Sequence, residues 1–157
     1  MDFDAARKVL AALERENVHY AVFGGAALNL HGLVRLTRDL EIFIKPTGEN
    51  VERLKCALRS VYADPSIEEI LASDLLGDYP AVQYVPPAGA FHLDILTRLG
   101  EAFEFADLET QRIAFDGLDV HVVTPRMLYR MKRDTVRAKD RADAEALRQR
   151  FGLEDEP

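Results

Sequence analysis

Cysteine occurs once in this chain, at Cys56, which excludes an internal disulfide and fits a reducing compartment. Cys56 is expected on the apolar face of a helix, with a packing role rather than a chemical one. Long apolar runs are missing. None reaches the ~18–20 residues needed to cross a bilayer, and the opening MDFDAARKVL lacks the profile of a signal peptide. The expectation is a cytoplasmic protein with no membrane partner. Positive charge is also short: 20 Lys and Arg against 27 Asp and Glu leave a net charge of −7, which argues against a broadly basic nucleic-acid-binding surface. Repeats, low-complexity tracts and linker-like stretches are absent as well. The 157 residues therefore read as one domain spanning 1–157, long enough to bury a core without metals or staples.

What is present alternates between two hydrophobic periods. DFDAARKVLAALEREN spaces Phe3, Ala6, Leu10 and Leu13 as an amphipathic helix does, with Asp2 or Asp4 as its cap. VHYAVFG reads as a strand closed by Gly24 and Gly25, and AALNLHG as a short helix ending at Gly32. DLEIFIK is a second strand, followed by a helix over ENVERLKCALRSVY with Val51, Leu54, Leu58 and Val61 on its buried side. A turn, a short helix and a loop are expected over ADPSIEEILASDLLGDYP. AVQYV and FHLDIL form a hairpin through PPAGA, and RIAF and LDVHVV form another through Asp116-Gly117. Two helices follow, one capped by Thr124 with Pro125 in its first turn, the other beginning at Asp140, which is well placed as its cap, and ending near Gly152. This order predicts an α/β (α+β) fold, a small mixed sheet flanked by helices with two helices at the C-terminus.

Charge is unevenly distributed. From Arg126 to Arg150 nine Lys or Arg stand against four Asp or Glu, a local net of +5 that leaves −12 on the remainder. Three acids interrupt apolar strands. Asp39 and Glu41, two residues apart, share one face of their strand, and Asp94 lies mid-strand in FHLDIL. Bare buried anions are too costly. Either these strands have one wet face, or the acids converge on a hard cation such as Mg²⁺ or Mn²⁺. Upstream, Gly24 and Gly25 stand between a strand and a short helix, where backbone without Cβ atoms allows close approach of a phosphate.

The order VFGG, then DLEIFI, then FHLDIL resembles the signature of the DNA polymerase β-like nucleotidyltransferase superfamily. A finer resemblance is to the minimal nucleotidyltransferases that include AbiEii-like toxins of type IV toxin–antitoxin pairs. It rests on Gly24, Gly25, Ala26, Ala27, Leu28, Gly32, Arg35, Thr37 and Asp39, and on Lys132, Arg137, Lys139, Asp140 and Asp143 in MKRDTVRAKDRAD. The departures are Glu41, where many AbiEii-like members have Asp, and a length without room for a larger C-terminal helical domain.

The resemblance implies a catalytic and metal-binding triad of Asp39, Glu41 and Asp94, with Asp94 deprotonating the acceptor hydroxyl. It implies nucleoside triphosphate as co-substrate, embraced by Gly24 and Gly25, with Arg35 and Thr37 on phosphate or base and Lys132 neutralising the triphosphate. The expected activity is transfer of a nucleoside monophosphate to a hydroxyl of RNA or tRNA, a protein or a small molecule, with an antitoxin protein as partner if the chain is a toxin. The alternative is a non-catalytic nucleotide- or partner-binding member of the same fold, an antitoxin-like subunit.

Overall fold

The structure is a computed structural model that describes residues 1–78, 80–87, 89 and 91–154. In chain order its elements are α1 (Phe3–Arg15), β1 (Tyr20–Phe23), α2 (Gly24–Leu30), β2 (Asp39–Ile44), α3 (Gly48–Val61), α4 (Ala72–Leu75), β3 (Ala81–Tyr84), β4 (His92–Leu96), β5 (Arg98–Leu99), β6 (Phe103–Glu104), β7 (Thr110–Phe115), β8 (Leu118–Val123), α5 (Pro125–Arg133) and α6 (Ala138–Phe151). Short 3₁₀ turns occupy Pro65–Glu69 and Phe105–Asp107.

Six strands form one mixed sheet in the order β3-β4-β2-β1-β8-β7, and β5 pairs with β6 separately. β2 runs antiparallel to β1 and parallel to β4, while β8 runs parallel to β1. The acid-bearing strand is thus interior to the sheet. Its alternation is clean: Leu40 and Ile42 are buried, and Asp39 and Glu41 on the other face are partly exposed. All four residues of β1 are buried. Asn50, at the start of α3, fastens β1 to β2: its Oδ1 accepts from the His19 N–H at 2.8 Å, and its Nδ2 donates to the His19 and Lys45 carbonyls at 3.0 Å. α1 packs on α3, α2 on β1 and β2, and α5 on α6.

Local signals account for most boundaries. Asp2 caps α1 through the Ala5 N–H, Thr47 caps α3, and Thr124 caps α5 with Pro125 in the first turn. Asp116 and Gly117 both have positive φ, 47° and 82°, as a two-residue hairpin turn of the primed type requires. Both expected hairpins are present, β3 with β4 and β7 with β8. Ala88 and Ala90 of the PPAGA connection lie outside the described residues, as do Tyr79 and residues 155–157.

Several expectations need correction. Cys56 is exposed: Val51, Leu54, Ala57 and Leu58 take the buried face of α3, which turns residue 56 outward. Phe3 is 51% exposed, touching Phe115 edge-on at the rim instead of joining the core. α2 starts at Gly24 rather than after the glycine pair. Asp140 is not a cap. α6 begins one residue earlier than Lys139, at Ala138, so Asp140 sits in its first turn and its carboxylate turns to Lys132. Among the described residues no helix is long and apolar enough to cross a membrane.

Candidate active site

The parallel register of β2 and β4 sets Glu41 opposite Asp94 and Asp39 opposite His92. Two of the three strand acids therefore meet across one strand spacing, and the third lies two residues along the same face. Each has its own partner. The Asp94 Oδ1 accepts from Gln83 Nε2 at 2.9 Å, from the neighbouring position on β3. Asp39 has His92 Nδ1 at 3.5 Å. Glu41 Oε2 accepts from the Gly25 N–H at 3.3 Å.

The glycine pair is fitted to that last contact. Gly24 has φ +65°, and a Cβ placed there would collide with the Glu41 carboxylate. A Cβ on Gly25 would stand 3.0 Å from the Thr37 Cβ. Burial pushes the Glu41 carboxyl above its ordinary range, and the Gly25 N–H opposes this. The charges of Asp94 and Asp39 push it further up, while Lys132 pulls it down.

A cavity of about 640 Å³ opens over this face, lined by Gly25, Arg35, Thr37, Asp39, Glu41 and Lys132 together with Arg38, Arg137, Lys139 and Asp140. A smaller one of about 300 Å³ continues past Gly24, Glu41 and Lys132 toward Leu99, Leu128 and Met131. Of the residues expected in the site, only Asp94 lines neither cavity; it enters through its register with Glu41.

The loop between α2 and β2 is bolted at both ends. Asn29 Oδ1 accepts from the Arg35 N–H at 2.9 Å. The Thr37 hydroxyl donates to the Asp39 carbonyl at 3.0 Å. Between these bolts Val34, Leu36 and Arg38 are exposed. Lys132 is no solvated helix lysine, since its side chain is 13% exposed and its Nζ lies 3.1 Å from Asp140 Oδ1 and 3.0 Å from Asp143 Oδ2. Burial raises the Asp140 carboxyl, but Lys132, the Thr135 hydroxyl and Arg137 outweigh it and hold the group below the usual carboxylate range.

Sequence reasoning missed the role of several side chains. Arg38 is carried to the cavity mouth because it directly precedes Asp39. Arg137 and Lys139 were visible only as members of a motif, and Asp143 had no assigned partner until the fold placed it against Lys132 and Arg35.

As a test of metal fit, the donor chemistry is right: three carboxylates are hard oxygen ligands, and Glu41, raised by burial and then by the charges of Asp94 and Asp39, stands where a cation would relieve it. As placed, however, each acid is turned to its own partner. Among the described residues no three His, Cys, Asp or Glu side chains stand close enough to hold an ion.

No protein-family model and no curated protein matches the chain. Solved structures do. The crystal structure of ANT(2″)-Ia in complex with adenylyl-2″-tobramycin has a TM-score of 0.60 at 15% identity, over 96% of this chain and 89% of that one. A solution structure of the same antibiotic-resistance factor has a TM-score of 0.59 at 16% identity, over 96% and 84%. A candidate nucleotidyltransferase from Thermotoga maritima has a TM-score of 0.57 at 14% identity, over 94% and 90%. At such identities the likeness concerns the fold alone, which this chain shares with these structures.

Proposed function

We propose that this protein is an enzyme that transfers a nucleoside monophosphate from a nucleoside triphosphate to a hydroxyl group, releasing pyrophosphate. The observation that carries this reading is the Glu41–Asp94 register beside a polar cavity walled by Asp39, Gly25, Arg35 and Lys132. Asp39, Glu41 and Asp94 would hold Mg²⁺ or Mn²⁺, which supplies charge to activate the attacking oxygen and to stabilise the leaving phosphate. Asp94 receives the proton of the acceptor hydroxyl, with Gln83 fixing its carboxylate. Gly24 and Gly25 leave room for the triphosphate, and Lys132 and Arg35 balance its charge. Thr37 holds the loop before Asp39 and lines the same wall, where phosphate or base would lie.

The mouth of the cavity sets the acceptor. Arg38, Arg137 and Lys139 are exposed there, and no hydrogen bond or ion pair engages their side chains among the described residues. Three such cations favour an acceptor that carries phosphates, and an RNA or tRNA end is the reading adopted. A polycationic small molecule would meet like charge. If the chain is the toxin that its resemblance to AbiEii-like proteins implies, it works in the cytoplasm and is countered by an antitoxin protein.

The test is incubation with each labelled triphosphate, Mg²⁺ and bulk tRNA beside an Asp39→Ala control. The expected result is labelled RNA with one triphosphate and a loss of at least ~100-fold in the control, as removal of a transition-state charge partner brings. No labelled product and no Mg²⁺-dependent thermal shift with any triphosphate would sink the reading. One observation favours a second reading, a non-catalytic member that binds nucleotide or a partner: the acids are not gathered tightly enough, as placed, to hold an ion. Nucleotide binding without transfer in the same assay selects it.

A further inference from the structure

Arg35 and Lys132 come from distant parts of the chain, a loop near the start and a helix near the end. Both nonetheless terminate on one carboxylate. Asp143 Oδ2 accepts from Lys132 Nζ at 3.0 Å and lies 3.5 Å from Arg35 Nε. Asp140 takes Lys132 from its other oxygen's side at 3.1 Å and receives the Thr135 hydroxyl on Oδ2, also at 3.1 Å. The Lys132 and Asp143 side chains are each 13% exposed, so solvent screens their pairing weakly.

Donor counting leaves something over. A lysine ammonium has three donors, and Asp140 and Asp143 engage two of them. Arg35 Nε is buried and makes no hydrogen bond, because its approach to Asp143 has the distance of an ion pair without the geometry of a bond. A buried donor left unmet is costly and commonly marks an absent partner. The Asn29 bond to the Arg35 backbone N–H fixes where this side chain leaves the loop. Both cations line the 640 Å³ cavity with Glu41.

We propose that Asp143 is a positioning residue for nucleotide binding, fixing the spacing of Arg35 and Lys132 so that a spare donor from each serves one phosphate chain. The inference rests on the triphosphate reading above. It makes a prediction opposite to simple charge counting. Removing the Asp143 charge leaves the cavity more positive, which by Coulomb attraction alone tightens an anion. Loss of the spacing loosens it.

The experiment is calorimetric titration of ATP, GTP, CTP and UTP, each with Mg²⁺, into the wild type, Asp143→Asn and Asp143→Glu. Asp143→Asn is expected to raise the Kd of the preferred triphosphate about tenfold, the size of one charge-assisted contact. Asp143→Glu keeps the charge but moves it by roughly 1.5 Å, one C–C bond, and is expected to weaken binding as well. In combination with Lys132→Gln, the Asp143→Asn loss should be smaller than the product of the single losses, since both act on one contact. Unchanged or tighter binding in the folded variants, or fully multiplicative losses, overturns the proposal. If circular dichroism shows both Asp143 variants unfolded, the residue serves stability and the positioning role is likewise overturned. A wild type that binds no triphosphate defeats the transferase reading itself, and this inference falls with it.

Discussion

Glu41 carries two opposed demands. Burial first, and then the charges of Asp94 and Asp39, raise its carboxyl above the ordinary glutamate range. The catalytic reading needs it ionised. Because its folded value is raised, the stabilisation it provides is complete below the ordinary glutamate value of 4.5 and is lost as pH climbs through the folded value. Glu41→Gln removes that penalty while keeping an oxygen for the Gly25 N–H. The variant should melt higher than the wild type at neutral pH. The Tm advantage should shrink toward pH 4.5, and transfer should be abolished. Differential scanning calorimetry across pH checks it, and a variant that melts lower at neutral pH contradicts the argument.

Among the helices of nine residues or more, α6 buries the fewest residues. It buries only Ala144 and Leu147, and its C-terminal end is held by the edge-on contact of Phe151 with His31 and closed by the left-handed Gly152. Leu147→Ala should cost about 2–5 kcal/mol, and hydrogen exchange should show α6 opening before the sheet. Nucleotide affinity should fall with it, because α6 carries Asp140 and Asp143 to Lys132. The same helix shows where sequence reading stopped. The six strands of the main sheet, both hairpins, the caps at Asp2 and Thr124 and the shared face of Asp39 and Glu41 were legible, because period-two alternation, turn chemistry and cap residues are local signals, whereas the Thr47 cap and the short β5–β6 pair were missed. Asp140 misled: an aspartate at a helix start looks like a cap, and only tertiary contact turned it to Lys132. Cys56 misled for a related reason, since the buried stripe of α3 ran one position to either side of it. The opposition of Glu41 to Asp94 depends on a parallel register between strands separated by α3, α4 and β3, which no short-range pattern encodes.

Across the whole molecule, the charge is acidic in sum and basic at one mouth. A net of −7 opposes RNA at long range, while Arg38, Arg137 and Lys139 attract it locally. Binding of single-stranded RNA should therefore depend on salt as a small contact set does, with a log–log slope of about −2, from three cations at about 0.7 each. Substituting Arg137 and Lys139 by Gln should flatten that slope by about 1.4. Fluorescence anisotropy over a salt series checks both values, and a slope near zero removes RNA as the acceptor. The bolted loop before β2 bears on how such a protein changes over generations. Asn29 and Thr37 fix its frame, while Val34, Leu36 and Arg38 project from it into solvent. Under the proposed function, substitutions of the Leu36 and Arg38 side chains would reshape the cavity mouth without displacing a core residue or any of the three strand acids.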